Sequence, residues 1–349
     1  MARQEQQVDP GGRAIQAGRD VVIHSGMSPD DMAEIMVAMA KQLSIYQADA
    51  MRTVEERLKE FQSEVVKRFI EPDQANSEAF RDPDFQYLIA EAQEAYARSG
   101  DAAVRGTLID IIARRSLEKE RNRMSITLNE AATKAALLTA NEFAAMSLAY
   151  LVKYTLNNKV ISFESLCEYL SSQLMPFVPD IAKEDTSFWH IEAQSCGSIE
   201  MGEVGLYTVL RTQYGGVLGR GFDRETLEAH LPDGQKNALD SVIIPCLHDR
   251  SKLQPNAMRR EVLVEVAARS GLDKAASENV WNAFENTIPP QAEIVALLTT
   301  KVPNVQALFD VWTHTDLKHL KLNSVGIAIG HANAVRAVGF DAPLDVWIK

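Results

Sequence analysis

Apolar side chains recur every three or four residues through the long segment that follows Ser28-Pro29-Asp30-Asp31. No proline or glycine interrupts this spacing before Pro72, and the spacing is typical of an amphipathic α-helix. Ser28 suits an N-cap and Pro29 suits the first helical position. We therefore predict one helix of about 40 residues, a length typical of a coiled coil or of a long bundle helix. The apolar positions are Met32, Ile35, Met36, Met39, Leu43, Tyr46, Ala50, Val54, Leu58, Phe61, Val65 and Phe69.

This helix can bury its apolar side in the core of its own chain or against neighbouring chains, and the pattern leaves both possibilities open. Further helices are predicted over about 84–98 and 102–123, and Thr127 is expected to cap an alanine-rich helix that ends near Asn157. Beyond residue 160 the predicted elements are shorter, at about 163–174, 203–213, 224–230, 256–270, 273–285, 290–300 and 303–321. The segment "LDSVIIPCL" (239–247) fits either a strand or a helix.

The last predicted helix contains Gly326, Gly330 and Ala334 at four-residue spacing. Small residues on one helical face allow another backbone to approach closely, and we expect that neighbour to belong to the same chain. The fold class is therefore mostly α: a long-helix bundle with a short N-terminal β segment and a compact C-terminal helical domain. The expected divisions are a flexible lead with a β assembly segment (1–27), a long-helix bundle (28–158) and a C-terminal helical domain (159–349).

The short apolar run Val21-Val22-Ile23 lies alone between glycine-containing turns and the long helix. A strand without a neighbour is marginal in water, so its backbone groups need a partner. We predict edge-to-edge pairing between copies of the chain, with docking on the chain's own body and disorder as the alternatives. The predicted assembly residues are Ile15, Gly18, Asp20, Val21, Val22 and Ile23 in the strand, and Met36, Leu43, Ala50, Leu58 and Val65 along the helix seam.

The net charge of −12 changes the list of possible partners, because an acidic surface repels phosphate backbones. General coating of nucleic acid is therefore not expected. The three cysteines are widely spaced and do not form a disulfide framework or a zinc-ligand pattern. No secretory apolar region and no spanning apolar stretch is recognisable, so we expect a cytoplasmic protein without a membrane span.

The segment around "WHIEAQSCGS" (189–198) has the residue types of a catalytic pair, since His190 could activate the thiol of Cys196. No local nucleophile signature supports this hydrolase interpretation, and we favour structural roles for both residues. A metal site at His314, Asp316 and His319 lacks a convergent third or fourth ligand. The glycine-rich "GGVLGRG" (215–221) lacks the lysine and hydroxyl residue of a phosphate-binding loop. We therefore predict no cofactor, no metal and no enzymatic activity.

A helix-turn-helix within 256–285 is the alternative that would make the protein a DNA-binding regulator. Arg259, Arg260 and Arg269 favour phosphate contact, whereas the second helix carries Asp273, Glu278 and Glu285, which oppose it.

The stretch "IQAGRDVVI" (15–23) resembles the "QAGRDV" or "QAGGDV" element at the start of many bacterial conflict and phage-defence proteins. That resemblance implies association with other copies or with an effector. The segment "WHIEAQSCGSIEMG" and the C-terminal "LNSVGIAIGHANAVRAVGFDAPLDVWIK" are similar to a widely distributed bacterial family of unknown function. We therefore predict a homo-oligomeric sensor, scaffold or effector in bacterial anti-phage defence, whose protein partner could come from the phage or from the host.

Overall fold

The structure is a computed structural model that describes residues 29–71, 74–228 and 233–349. Within these ranges the chain forms fourteen α-helices and four three-residue strands, which confirms the mostly α fold class. The predicted β segment of residues 15–23 lies outside the described residues. The contacts within the chain divide it into two units, residues 1–55 and residues 56–349.

The first helix, α1, runs from Pro29 to Ile70 over 42 residues, as its uninterrupted apolar period predicts. Lys67 and Arg68 lie in its last turn, where positive side chains interact favourably with the negative end of the helix dipole. The helix belongs to both units, because the division falls after Glu55.

Four helices follow within the second unit: α2 (Pro83–Ser99), α3 (Ala102–Leu117), α4 (Arg123–Ala135) and α5 (Ala140–Lys153). The prediction of one helix starting at Thr127 is wrong, because Asn122 caps α4 and a break at 136–139 separates it from α5. At that break Thr139 and Glu142 form a capping box that starts the new helix. All but a few side chains of α5 are buried, so this helix lies in the interior of the second unit.

The middle of the chain contains α6 (Phe163–Tyr169), α7 (Asp185–Ala193) and α8 (Leu206–Leu218), with β1 (Gly197–Ile199) between the last two. A π-helical turn, Leu170–Leu174, continues α6 and accounts for the predicted helix at 163–174. The sequence analysis predicts no helix at α7, which is only nine residues long. β1 pairs in antiparallel fashion with a strand far along the chain, β4 (Leu320–Leu322).

A second, smaller hydrophobic cluster is built from α9 (Arg224–Glu228), α10 (Arg260–Arg269) and α11 (Lys274–Glu285). The uncertain segment near 239–247 contains a 3₁₀ helix, Asp233–Ser241, and then β2 (Ile243–Pro245). β2 pairs with β3 (Leu253–Pro255), so the segment 239–247 is helical at its start and forms a strand at "IIP". Leu263, Val280 and Phe284 are fully buried at the centre of this cluster.

The chain ends with α12 (Gln291–Thr299), α13 (Val305–His314), β4 and α14 (Ser324–Val338). The small-residue face of α14 packs inside the same chain, as predicted. A Cβ atom on Gly326 would lie 1.9 Å from the carbonyl oxygen of Cys196, and one on Gly330 would lie 2.8 Å from that of Met146. Only glycine permits these approaches, which seat α14 against α5 and the loop before β1.

The main hydrophobic core does not divide at the predicted boundary between residues 158 and 159. One cluster of buried side chains extends from Phe61 to Ile348 and includes residues on both sides of that point. The reason is the path of α14, which returns to pack against α3, α4 and α5. The described second unit thus joins the N-terminal bundle helices to the C-terminal segment in one core.

Candidate assembly surface

The C-terminal half of α1 is held by the second unit of its own chain. Phe61 is completely buried and its ring centroid lies 5.9 Å from that of Tyr96 on α2. Arg57 donates hydrogen bonds to the carbonyl oxygens of Ala97 and Arg98 at the end of α2, at 2.8 and 3.0 Å. These contacts satisfy carbonyl groups that a helix end leaves without intrahelical partners. The C-terminal half of α1 therefore contributes an apolar side chain to the core and a polar side chain to the edge of the core.

A charged cluster lies beside these apolar contacts. The carboxylate of Glu60 accepts hydrogen bonds from the phenol of Tyr96 and from the guanidinium of Arg105 on α3. The hydrogen bonds from Tyr96 and Arg105 lower the pKa of Glu60. Further along α1, Arg68 lies 2.8 Å from the carboxylate of Asp110. Two ion pairs thus connect α1 to α3 within residues 56–349.

The N-terminal half of α1 has the opposite character. Every side chain described between residues 30 and 53 is exposed, although many of them are large and apolar. Met36 is 66% exposed and Leu43 is 63% exposed. Single exposed apolar residues are ordinary on a protein surface, but a contiguous stripe of them indicates an interaction site. The exposed large apolar side chains of this half are Met32, Ile35, Met36, Val37, Met39, Leu43, Ile45, Tyr46 and Met51.

The exposed apolar residues follow a heptad pattern. Met32, Met36, Met39, Leu43, Tyr46 and Ala50 are separated by alternating steps of four and three residues. That repeat keeps one seam facing a parallel partner helix along a left-handed supercoil. The pattern stops where the core half begins, because its next positions would be Thr53, Arg57 and Glu60. We call the six residues from Met32 to Ala50 the heptad seam.

The predicted assembly residues therefore occupy three different environments. Met36, Leu43 and Ala50 belong to the heptad seam and are exposed. Leu58 is half-buried, and Val65 is only 7% exposed because it packs in the chain's own core. Apolar residues continue every three or four positions through both halves of α1, and only the strict heptad alternation ends at Ala50. The strand residues Ile15, Gly18, Asp20, Val21, Val22 and Ile23 lie outside the described residues.

The weak catalytic candidates His190 and Cys196 are not brought together. Nδ1 of His190 lies 2.6 Å from a carboxylate oxygen of Glu142, and Nε2 lies 3.2 Å from the amide nitrogen of Gln194. Cys196 is fully buried, its thiol donates weakly to the carbonyl oxygen of Gln194, and burial raises its pKa to about 12. A buried thiol of that kind is not an activated nucleophile. Within the described residues no hydrogen bond joins the His190 ring to Cys196.

The glycine-rich segment and the candidate metal ligands also make contacts within the protein's own fold. The glycines of "GGVLGRG" follow the kink of α8 at Tyr214, and Gly215 packs near the ring of Trp281. His314 is bonded to the carbonyl oxygen of Asp310, and His319 to that of Gly202. In the part of the chain that the structure describes, no group of three or more His, Cys, Asp and Glu side chains could hold a metal ion.

The proposed helix-turn-helix exists as a pair of packed helices, α10 and α11. Arg260 donates a hydrogen bond to Asn282 on α11, and Asp273 caps that helix by accepting from the backbone of Ala276. Glu285 pairs with Arg211 on α8, at 3.2 Å. Arg260 and Glu285 thus already have partners within the protein.

A protein-family model, whose description reads only ":-like", matches residues 26–348. The chain belongs to that family. The match covers almost the whole chain, including the heptad seam and all of the second unit except Lys349, but the description names no reaction, ligand or partner. No curated protein and no solved structure matches the chain. None of the helices in the described ranges combines the length and the apolar character needed to cross a membrane.

Proposed function

We propose that the protein acts by homo-oligomeric assembly through the N-terminal half of α1. The observation that carries this proposal is the heptad seam, whose side chains are exposed, whereas Phe61 and Val65 on the other half of the same helix are buried. A helix that is apolar along one stripe normally covers that stripe. The proposed occupant is a second copy of the same chain.

The heptad pattern favours a second copy over an unrelated partner. In a parallel pair of identical helices each seam residue meets its own counterpart, so the stripe is complementary to itself. Arg52 and Asp49 pair with each other within one helix, at 2.5 Å, and do not require an external ion partner. The seam itself carries no charge, so two copies meet without burying an unpaired ion.

The width of the apolar stripe favours more than two copies. Ala33 and Ala40 lie beside the seam on one side, and Ile35 lies beside it on the other. Burying the exposed part of six seam side chains contributes on the order of 1 kcal/mol each, or about 10 kcal/mol for two helices. That is comparable with the cost of about 4–15 kcal/mol for bringing two chains together. A bundle of three or more helices buries more area per chain, and we therefore propose this form.

Light scattering on matched variants tests the proposal. Leu43 belongs to the seam, whereas Ile45 is another exposed apolar residue two positions away on the opposite side of the helix. We expect the wild-type chain and Ile45→Glu to have a mass several times 38.7 kDa, and Leu43→Glu to be monomeric. A monomeric wild-type chain, or equal masses for the two variants, would contradict assembly through the seam.

The predicted strand at residues 15–23 is a separate part of this proposal. A chain beginning at Ser28 keeps the heptad seam but lacks the strand. If strand pairing holds the copies together, this shorter chain has a smaller copy number while its far-UV circular dichroism remains helical. An unchanged copy number would assign assembly to the seam alone.

The proposed setting is bacterial anti-phage defence, with the assembled protein as a sensor, scaffold or effector. This part is supported by the resemblance of "IQAGRDVVI" to the N-terminal element of conflict proteins. Plating efficiency of a phage panel on cells that carry wild-type, Leu43→Glu or Ile45→Glu protein tests it. Protection by the wild type and by Ile45→Glu, but not by Leu43→Glu, is the expected result. Equal plating on all strains would contradict a protective role against that panel.

A further inference from the structure

A cleft of about 530 Å³ lies between α13 and the 3₁₀ helix Met175–Asp180, which packs against it. This volume is within the range of pockets that hold small organic molecules. Val178, Ile181 and Val311 belong to the lining, and all three are buried. Apolar atoms make up most of the wall, so the cleft favours a ligand with an apolar body.

Two half-buried residues of the wall favour an aromatic ligand. Met175 lines the cleft, and a thioether makes favourable contacts with aromatic rings. On α13, Ala307 lies one turn before Val311, and both line the cleft. The small side chain of Ala307 leaves room beside this face of the helix. A flat ring can therefore lie against α13 and contact the thioether.

The polar part of the wall sets the charge that the cleft can accept, and it consists of Lys183, Asn304, Asp310, His314 and Thr315. Lys183 and Asp310 carry opposite charges, and both are exposed. A carboxylate oxygen of Asp310 accepts a hydrogen bond from Gln306, at 2.7 Å. The two charges offset each other, so the cleft favours a neutral ligand over an ion.

His314 gives the cleft a hydrogen-bond acceptor. Its Nδ1 atom lies 2.9 Å from the carbonyl oxygen of Asp310, and because a carbonyl oxygen only accepts, Nδ1 carries a proton. In the neutral ring the lone pair is therefore on Nε2, which has no hydrogen-bond partner among the described residues. The hydroxyl of Thr315 already donates to the carbonyl oxygen of Val311. Nε2 of His314 is thus available to a donor on a ligand.

We propose that this cleft binds a small neutral aromatic molecule with one N–H or O–H donor, which bonds to Nε2 of His314. The apolar wall covers the ring, and the single hydrogen bond fixes its orientation. All of the lining residues lie within the second unit, residues 56–349. The site does not depend on assembly through the heptad seam, and either proposal can fail without the other.

Equilibrium dialysis of the full wild-type chain against indole or benzofuran tests the site. The two probes have nearly the same bicyclic shape, but only indole carries an N–H donor. We expect indole to bind with a millimolar or lower dissociation constant, and about fivefold more tightly than benzofuran. Equal affinity for the two probes, or no indole binding at millimolar concentration, would overturn the proposal. Binding of indole-3-acetate at least about tenfold more tightly than indole would overturn the choice of a neutral ligand.

A matched pair of variants locates the binding. Ala307→Trp places a large side chain in the cleft, and Ala337→Trp places the same side chain on an exposed position of α14. Indole affinity should fall at least about tenfold in Ala307→Trp and remain unchanged in Ala337→Trp. Unchanged affinity in a folded Ala307→Trp protein would show that indole binds elsewhere and would overturn the proposal.

A third variant tests the hydrogen bond. His314→Phe keeps a ring at this exposed position and removes the acceptor. This variant should bind indole and benzofuran with equal affinity. If His314→Phe still preferred indole about fivefold, the assignment of the acceptor to His314 would be wrong. Should Ala307→Trp fail to fold, His314→Phe and the comparison of the two probes on the wild-type chain still decide the proposal.

Discussion

The carboxylate of Glu142 lies 2.6 Å from Nδ1 of His190, which joins the buried helix α5 to the more exposed α7. Glu142 is only 3% exposed, and its second oxygen accepts the backbone N–H of Thr139, also at 2.6 Å. One buried carboxylate thus starts α5 and fixes the ring of His190. On the other side of the ring, Nε2 lies 3.2 Å from the side-chain amide nitrogen of Gln194. Glu142 therefore orients the ring of His190. Among the described residues, that ring makes no hydrogen bond to the thiol of Cys196 such as a catalytic base would need.

Replacing Glu142 with Gln should destabilise the protein. Glutamine keeps the size of the side chain but weakens two charge-assisted hydrogen bonds in a buried position. We expect the free energy of unfolding, measured by urea denaturation, to fall by about 2 kcal/mol. The control is Glu130→Gln, on an exposed position of α4, which should change it by less than about 0.5 kcal/mol. Equal effects of the two variants would mean that the Glu142 contacts add no stability.

Gly326 should tolerate no side chain. A Cβ atom there would lie 1.9 Å from the carbonyl oxygen of Cys196, a backbone atom that cannot move alone. We expect Gly326→Ala to lower the free energy of unfolding by about 3 kcal/mol or more, or to prevent folding. Gly202→Ala provides the comparison, since nothing lies within 4 Å of its Cβ position. Thermal melting of the two variants should differ clearly, and matching melting temperatures would contradict the close approach of α14.

The two halves of α1 should respond differently to the same kind of truncation. Val65→Ala removes buried methyl groups from the core and should lower the free energy of unfolding by about 2 kcal/mol. Leu43→Ala removes exposed atoms, so stability in a monomeric state should not change, while the oligomer should dissociate at a higher protein concentration. Urea denaturation and sedimentation velocity measure the two effects. Dissociation caused equally by Val65→Ala would place that residue in the intermolecular seam.

The buried Asp110 should make stability depend on pH. Burial raises the pKa of Asp110 from the usual 3.8 to about 6, and the negative charge of Glu71 acts in the same direction. Arg68 and Arg336 lower this pKa, but burial has the larger effect. The folded chain therefore holds this proton more tightly than the unfolded chain. The stabilising contribution is complete below pH 3.8 and is lost as pH rises through about 6, by roughly 3 kcal/mol in total.

Urea denaturation at several pH values checks this sign. The free energy of unfolding of the wild type, minus that of Asp110→Asn, should decrease between about pH 4 and pH 7. Asp180→Asn, at an exposed position, controls for general effects of pH and should track the wild type. A difference that stays constant or increases with pH would contradict the raised pKa.

The sequence alone contained the signals for several features of this chain. The uninterrupted apolar period after Ser28 predicted the length of α1, and the glycine spacing of α14 predicted a close backbone approach. The start of α5 could also have been predicted, because Thr139-x-x-Glu142 is a capping-box pattern within the alanine-rich segment. The capping-box pattern was obscured because apolar residues continue on several sides of this segment. The partner of His190 lies 48 residues away, and no local pattern indicates such a contact.

By itself the sequence determined that α1 is long, helical and apolar along one side, because helix period, capping and the absence of breakers are local properties. Only the tertiary structure decided that Val65 is core and Leu43 is exposed. The apolar period is nearly the same around both residues. The difference arises because Phe61 and Phe69 meet the rings of Tyr96 and Phe85, which are contributed by a helix that starts more than ten residues after α1 ends. Burial depends on which surfaces the fold brings together, and a helix's own sequence does not specify them.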